Sequence, residues 1–337
     1  MTSILRFIRT CILIGCALIF PTRSLMAGMN IWTSGGPSDP EVYALAINPA
    51  SPNILYAGTR SGLFRTDDSG DTWNMVLDGH WIYGLAISPS SPATVYAGTY
   101  NGQVFKTTDG GGTWKPVRIL QTDTLVLSLA VDPASPSIVY AGTYAGIFKT
   151  TDGGASWNAV NFGLSNLSVF VLAIDPSASS TAYAGTDAGV FKTVNGGATW
   201  STAGDAPTGF SIVALTISPY FSSTVFVATL GGGIYRTLDS GAHWLPVNTG
   251  LSGLNMGALA ADITAPMVLY AGTYGKGMFR SDNGGDSWFS VNGNLPGLSV
   301  NCLVMAPYLP PIVYAGVYEN GVWSAVFTSH NRPVGHP

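Results

Sequence analysis

One phrase recurs seven times along this chain, 40 to 44 residues apart, and a repeat of that length sharply limits what the chain can fold into. It reads Leu-Ala-Ile-x-Pro, then Tyr-Ala-Gly-Thr, then Gly-x-Phe-Lys-Thr-x-Asp-Gly-Gly-x-Thr-Trp, with small variations. Its tyrosine falls at Tyr56, Tyr96, Tyr140, Tyr183, Tyr270 and Tyr314, with Phe226 in the fifth place. Its tryptophan falls at Trp73, Trp114, Trp157, Trp200, Trp244 and Trp288, one fewer than the units. The missing piece is at the other end. Trp32 lies 41 residues before Trp73, so the chain begins with the last segment of a unit whose remainder, 303–325, lies at the C-terminus.

Each unit reads as four short strands. In the first these are Leu45-Ala46-Ile47, 54–59, 62–66 and 73–76, apolar or β-branched runs set off by Asn-Pro, Ser-Pro and Gly-rich turns. Four strands per 40-odd residues is the signature of a β-propeller. The expectation is an all-β, seven-bladed β-propeller of four-stranded antiparallel blades, closed by the N-terminal strand joining the C-terminal blade. Charged residues make up only 9% of the chain, against about 25% in an ordinary soluble domain, which suits sheets packed face against face.

The first 27 residues read as an address. Arg6 and Arg9 precede the apolar run 11–20, and a polar stretch leads to Leu25-Met26-Ala27, the pattern of a signal peptide spanning 1–27 and cleaved before Gly28. The run is too short to span a bilayer. The expected mature chain is therefore secreted or periplasmic, without a transmembrane segment, with the propeller at 28–327 and a disordered tail at 328–337. Leu13-Ile14-Gly15-Cys16 also fits a bacterial lipobox, and the alternative is a lipoprotein anchored at Cys16.

Cleavage takes Cys11 and Cys16 and leaves Cys302 alone, so no internal disulfide can form. Beside Leu303 on an inner strand, Cys302 reads as a small apolar core residue rather than a nucleophile. Arg6, Arg9 and Arg23 also leave with the leader. The 11 basic and 18 acidic residues that remain give a net charge of −7, which argues against nucleic acid as a partner.

The third phrase resembles the Asp-box, or bacterial neuraminidase repeat, of the sialidase-like propellers: sialidases, xyloglucanases, sortilin-type receptors and photosystem II assembly and stability factors. The layout is most similar to the photosystem II assembly factors, single exported seven-bladed propellers, and to a single xyloglucanase propeller. The residues carrying it are Asp68, Trp73, Asp109, Trp114, Asp152, Trp157, Asn195, Trp200, Asp239, Trp244, Asn283 and Trp288. These read as structural. A short acceptor can bond the N–H groups of its own turn, and the asparagines at 195 and 283 keep the acceptor without the charge that a hard-cation site favours. The basic residue before each box (Arg65, Lys106, Lys149, Lys192, Arg236, Arg280) reads as solvated or paired within its blade.

In propellers of the resembled families the functional face carries the loop into each inner strand and the loop between the second and third strands, while the boxes line the opposite face. Carried onto this chain, the resemblance assigns to that face the segments 78–81, 118–124, 161–168, 205–210, 248–255 and 292–299. It also places Arg60, Tyr100, Tyr144, Asp187, Leu230, Tyr274 and Tyr318 at one repeated site. The four tyrosines would make an aromatic rim suited to sugar faces or peptide segments. The candidate ligand-binding residues are Arg60, Asp78, His80, Trp81, Tyr100, Tyr144, Asp187, Tyr274, Tyr318 and Glu319.

Catalytic expectations fail on residue supply. A sialidase resemblance implies three arginines gripping a carboxylate, and outside the repeated slot and the tail residue Arg332 the mature chain offers Arg60 and Arg118. Glycoside hydrolysis needs two facing carboxylates, whereas Asp39, Glu41, Asp78, Asp123, Asp187, Asp205 and Glu319 are scattered over different blades. His80 is the only histidine in a candidate loop and has no second ligand for zinc. The sequence thus points to a monomeric, non-catalytic binding or scaffold module, without cofactor or metal, that docks a protein or glycan in the cell envelope or outside the cell. The alternative is a sialidase- or xyloglucanase-like glycoside hydrolase.

Overall fold

The structure is a computed structural model, and the residues it describes are 31–118, 124–308 and 310–327. The expected leader, Cys16, loop positions 119–123 and the C-terminal tail lie outside the described residues.

The described residues form 28 strands in seven antiparallel sheets of four, with no helix. Blade 1 runs outward through Val42–Ile47, Leu55–Thr59, Gly62–Thr66 and Asn74–Asp78. The inner strand of each blade packs on those of both neighbours, and Val42–Ile47 of blade 1 meets Val300–Ala306 of blade 7 to close the circle. The outer strand of blade 7 is Thr33–Gly36, paired through Thr33 with Ser324. This is the closed seven-bladed β-propeller that the repeat predicts. Two strand limits differ from the sequence reading. The inner strand starts at Val42, ahead of the recurring phrase, and the outer strand starts after Trp73, whose backbone still belongs to the turn.

The phrase Tyr-Ala-Gly-Thr follows from blade stacking. Leu55–Thr59 and its equivalents are buried at every position, because each sheet is covered on both faces by its neighbours. A Cβ on Gly58 would sit 2.7 Å from Ile82 Cγ2 and 2.9 Å from the Ile82 carbonyl of blade 2, closer than real contacts allow, so glycine holds this slot in six blades; in blade 5, which packs on the unbranched Met256, Ala228 stands there. The buried Thr59 hydroxyl straps its hairpin by donating to the Gly62 carbonyl at 2.9 Å.

The boxes tie turns together and then tie blades together. Asp68 Oδ1 accepts from the Thr66 hydroxyl at 2.6 Å and the Thr72 N–H at 2.9 Å, and Oδ2 accepts from the Thr72 hydroxyl at 2.6 Å. Asn195 keeps the first two bonds, and its Nδ2 instead donates to the Thr199 hydroxyl at 2.9 Å. The repeated cation pairs within its own blade at two positions, Arg65 with Asp67 and Arg280 with Asp282, and Arg65 and four others reach across to the next blade. Lys106 donates to Gly153 O at 2.9 Å, Lys149 to Gly196 O at 2.7 Å, Lys192 to Ser240 O at 2.8 Å and Arg236 to Gly284 O at 2.8 Å. The repeated tyrosine adds a second strap, as where Tyr183 joins Lys192 on Ser240 O at 2.9 Å. Tyr314 of blade 7 reaches Ser69 O of blade 1 at 3.1 Å, so the straps cross the seam as well.

The tryptophans divide into two sets for a reason visible in the backbone. Trp200, Trp244, Trp288 and Trp32 donate their indole N–H to a carbonyl of the preceding blade: Val160, Ala203, Val247 and Val291, at 2.8 to 3.1 Å. At three of these a side chain makes the carbonyl available. Asn161, Asn248 and Asn292 accept the ladder N–H of Ile147, Ile234 and Met278 at 2.6 to 2.7 Å, which frees the valine carbonyl before each asparagine. Blade 2 has no such asparagine. Val117 there pairs with Val104 in the ladder, and the Trp157 N–H is buried without a protein acceptor, as are those of Trp73 and Trp114.

Candidate binding site at the channel mouth

Each inner strand carries one β-bulge near its start. The register shifts between Val42 and Ala44, Ile82 and Gly84, Val126 and Ser128, Val169 and Val171, Ile212 and Ala214, Met256 and Ala258, and Val300 and Cys302. A bulge leaves one residue outside the ladder and re-aims its side chain. The seven residues so released are Tyr43, Tyr83, Leu127, Phe170, Val213, Gly257 and Asn301, and all seven line one cavity of about 510 Å³ with Tyr274, Ser299 and Tyr318. The central channel therefore opens in a ring of bulge side chains, aromatic or aliphatic across blades 1 to 5 and small or polar at blades 6 and 7.

The aromatic arc is most continuous at blades 1 and 2. Tyr43 and Tyr83 stack with centroids 4.4 Å apart and planes 14° apart. Tyr100 lies 6.3 Å from Tyr83 and 5.1 Å from Trp81. The Arg60 guanidinium sits 4.7 Å above the Trp81 ring and 3.5 Å from Glu41, whose other partner is the Tyr43 hydroxyl, donating at 2.8 Å. Burial first, and then the bond to Glu41, hold the Tyr43 hydroxyl well above the usual tyrosine range. It stays neutral and able to donate.

On the far side Tyr274 fills the gap that Gly257 leaves. A Cβ at 257 would meet Tyr274 Cζ at 3.1 Å and collide with the Val300 carbonyl, so only glycine admits the ring to the cavity wall. Burial raises the Tyr274 hydroxyl pKa.

The structure brings together some of the sequence candidates and separates others. Arg60, Trp81 and Tyr100 meet at the mouth, Tyr274 and Tyr318 line the cavity, and Tyr144 packs edge-on against the lining residue Phe170 at 6.0 Å. Glu319 adjoins Tyr318 and is the chief cause of its raised hydroxyl pKa. Asp187 is held by the Ser211 hydroxyl at 2.6 Å. Asp78 pairs with Gly62 at a sheet edge, and His80 turns onto Phe105 at 4.6 Å, so neither joins Trp81 in its contacts with Arg60 and Tyr100. Sequence reasoning missed Glu41 and the seven bulge residues. The signal was the residue two places before each Leu-Ala-Ile, which varies too much to look like part of a motif.

Among the described residues, no Asp or Glu stands on the cavity wall. Among the described residues, no three of His, Cys, Asp and Glu gather where they could hold a metal ion. Burial pushes the Cys302 thiol up to about 12, so it is not a nucleophile at neutral pH.

No family model matches the chain, and no curated protein matches it in sequence. Solved structures do. The xyloglucanase of glycoside hydrolase family 74 from Xanthomonas campestris superposes with a TM-score of 0.74 at 18% identity, over 90% of this chain and 54% of its own. The family 74 enzyme of Niastella koreensis gives 0.73 at 21%, over 87% and 53%. This chain thus spans about half the length of those enzymes. YCF48 from Cyanidioschyzon merolae gives 0.66 at 17% and is matched almost end to end, over 89% of this chain and 99% of its own. The likeness is one of fold.

Proposed function

We propose that the chain is an exported, non-catalytic binding module that seats a protein partner at the mouth of its central channel. The observation that carries this reading is the mouth cavity: three aromatic bulge residues joined by Tyr274 and Tyr318, two aliphatic bulge residues and, among the described residues, no carboxylate. Such a wall offers rigid, amphipathic contact area at low entropic cost. It offers no acid and base pair for glycoside hydrolysis. Leu127 and Val213 favour a protein side chain with an apolar stem over a sugar, whose hydroxyls they cannot bond.

The solved structures give this reading a precedent. YCF48 has been solved bound to a D1 peptide, and the match spans 88% of this chain and 97% of that one at a TM-score of 0.68 and 15% identity. An extracellular domain of BT4673 from B. thetaiotaomicron shares the fold at the same TM-score and identity, in keeping with a position outside the cytoplasm. The test is affinity capture from the envelope of the producing cell, with wild-type bait and with a Tyr83→Ser/Tyr274→Ser bait. A partner held by the first and lost by the second supports the module. Release of reducing sugar from xyloglucan by the wild-type chain refutes it in favour of the hydrolase alternative.

A further inference from the structure

We infer that the group seated in this mouth is a cation, a lysine or arginine side chain of the protein partner. The inference rests on the binding-module reading above and adds the chemistry of the ligand. Five aromatic rings, those of Tyr43, Tyr83, Phe170, Tyr274 and Tyr318, surround one cavity whose wall, among the described residues, carries no charged side chain. Ring faces carry negative charge density and attract ammonium and guanidinium groups, more strongly where water is displaced. Acidic residues flank the cavity. Glu41 accepts from the hydroxyl of the lining residue Tyr43 at 2.8 Å, and Glu319 adjoins the lining residue Tyr318. The field of Glu319, reinforced by Glu41, reaches the Tyr318 hydroxyl on the cavity wall.

The protein already builds the arrangement once from its own residues. Arg60 lies over Trp81 at 4.7 Å with Glu41 at 3.5 Å, a guanidinium on an aromatic face beside a carboxylate. A cationic side chain entering the mouth would find the same elements: ring faces around it, phenol oxygens as acceptors, and acidic residues at the rim that also draw it in from solution.

The experiment titrates the folded chain with the acetylated and amidated tripeptides Gly-Arg-Gly, Gly-Lys-Gly, Gly-Gln-Gly and Gly-Glu-Gly, following the aromatic ring resonances of Tyr83 and Tyr274 by NMR. The arginine and lysine peptides are expected to bind roughly 5- to 30-fold more tightly than the glutamine peptide, which corresponds to about 1 to 2 kcal/mol. Added salt should narrow the ratio. Tyr83→Leu and Tyr274→Leu should abolish the preference, and Tyr83→Phe, which keeps the ring face, should retain it, with thermal unfolding confirming that each variant is folded. Equal affinity for the arginine and glutamine peptides, or tighter binding of the glutamate peptide, overturns the cation seat and leaves the mouth as a binding site. Ring resonances that shift with none of the peptides also overturn it, while the binding-module reading is judged separately by partner capture.

Discussion

Trp32 donates its indole N–H to the carbonyl of Val291 at 2.9 Å, across a sequence separation of 259. Two residues from opposite ends of the chain thus make the contact that Trp200, Trp244 and Trp288 make with their preceding blades. Asn294 clasps the same residue, accepting from Trp32 N at 2.7 Å and donating to Trp32 O at 2.9 Å. The seam is therefore built like an ordinary blade junction. Trp32→Ala should destabilise the fold by about 3 to 5 kcal/mol, as for other buried aromatic truncations. Trp114→Ala, at a half-buried indole without an acceptor, should cost measurably less. Urea unfolding of the two variants checks the order.

Asn161 predicts a coupled effect. Its side chain accepts the Ile147 N–H and so releases Val160 O for Trp200. In Asn161→Ala the ladder and the indole compete for a single carbonyl, and one buried donor goes unpaired at about 1 to 3 kcal/mol. If Asn161 acts through Trp200, Trp200→Phe should remove much of the penalty of Asn161→Ala, and a double-mutant cycle measures that coupling. Strictly additive costs would show the two sites to be independent.

Acid should loosen the boxes. Hydrogen bonds from Thr107, Ser156 and the His243 backbone are the leading causes holding Asp109, Asp152 and Asp239 well below the ordinary value of 3.8. A carboxylate with a depressed folded-state pKa contributes stability that is fully present above its unfolded pKa and is lost as pH falls through the folded one. Stability should thus decline below about pH 4. The Asp109→Asn/Asp152→Asn/Asp239→Asn variant, which copies the natural Asn195 and Asn283, should decline less steeply over that range. Thermal melts between pH 2 and pH 7 make the comparison.

Gly257→Ala places a methyl against the Val300 carbonyl and the Tyr274 ring. The expected cost is about 1 to 3 kcal/mol, the usual price of overpacking. Tyr274→Ser at the neighbouring loop should leave the melting temperature nearly unchanged and weaken partner binding, since the Tyr274 side chain lines the cavity.

Blade number, strand number and ring closure were legible because they depend on residues under nearly the same constraint from unit to unit: Gly58 under Ile82, Thr59 across its hairpin, Asp68 inside its turn, with Ala228, Val317 and Asn195 as the local exceptions. The loop face was legible in part. Arg60, Trp81 and Tyr100 stood out as breaks in the pattern, and they do meet. The bulge ring stayed hidden because a bulged residue is free of the ladder and faces open space, so blade packing places no common demand on Tyr43, Leu127, Gly257 or Asn301. The two directions taken by His80 and Trp81 were equally hidden, since neighbouring loop residues share no periodicity that assigns a side.

The central claim is that partners engage the bulge ring and not the box face. Site-specific photocrosslinking tests it most directly, with a benzophenone side chain placed at Tyr83 in one variant and at Leu238, 61% exposed beside the box residue Asp239, in another. In the producing cell's envelope the account predicts a discrete adduct from position 83 and none from position 238. An adduct from position 238 alone would contradict it.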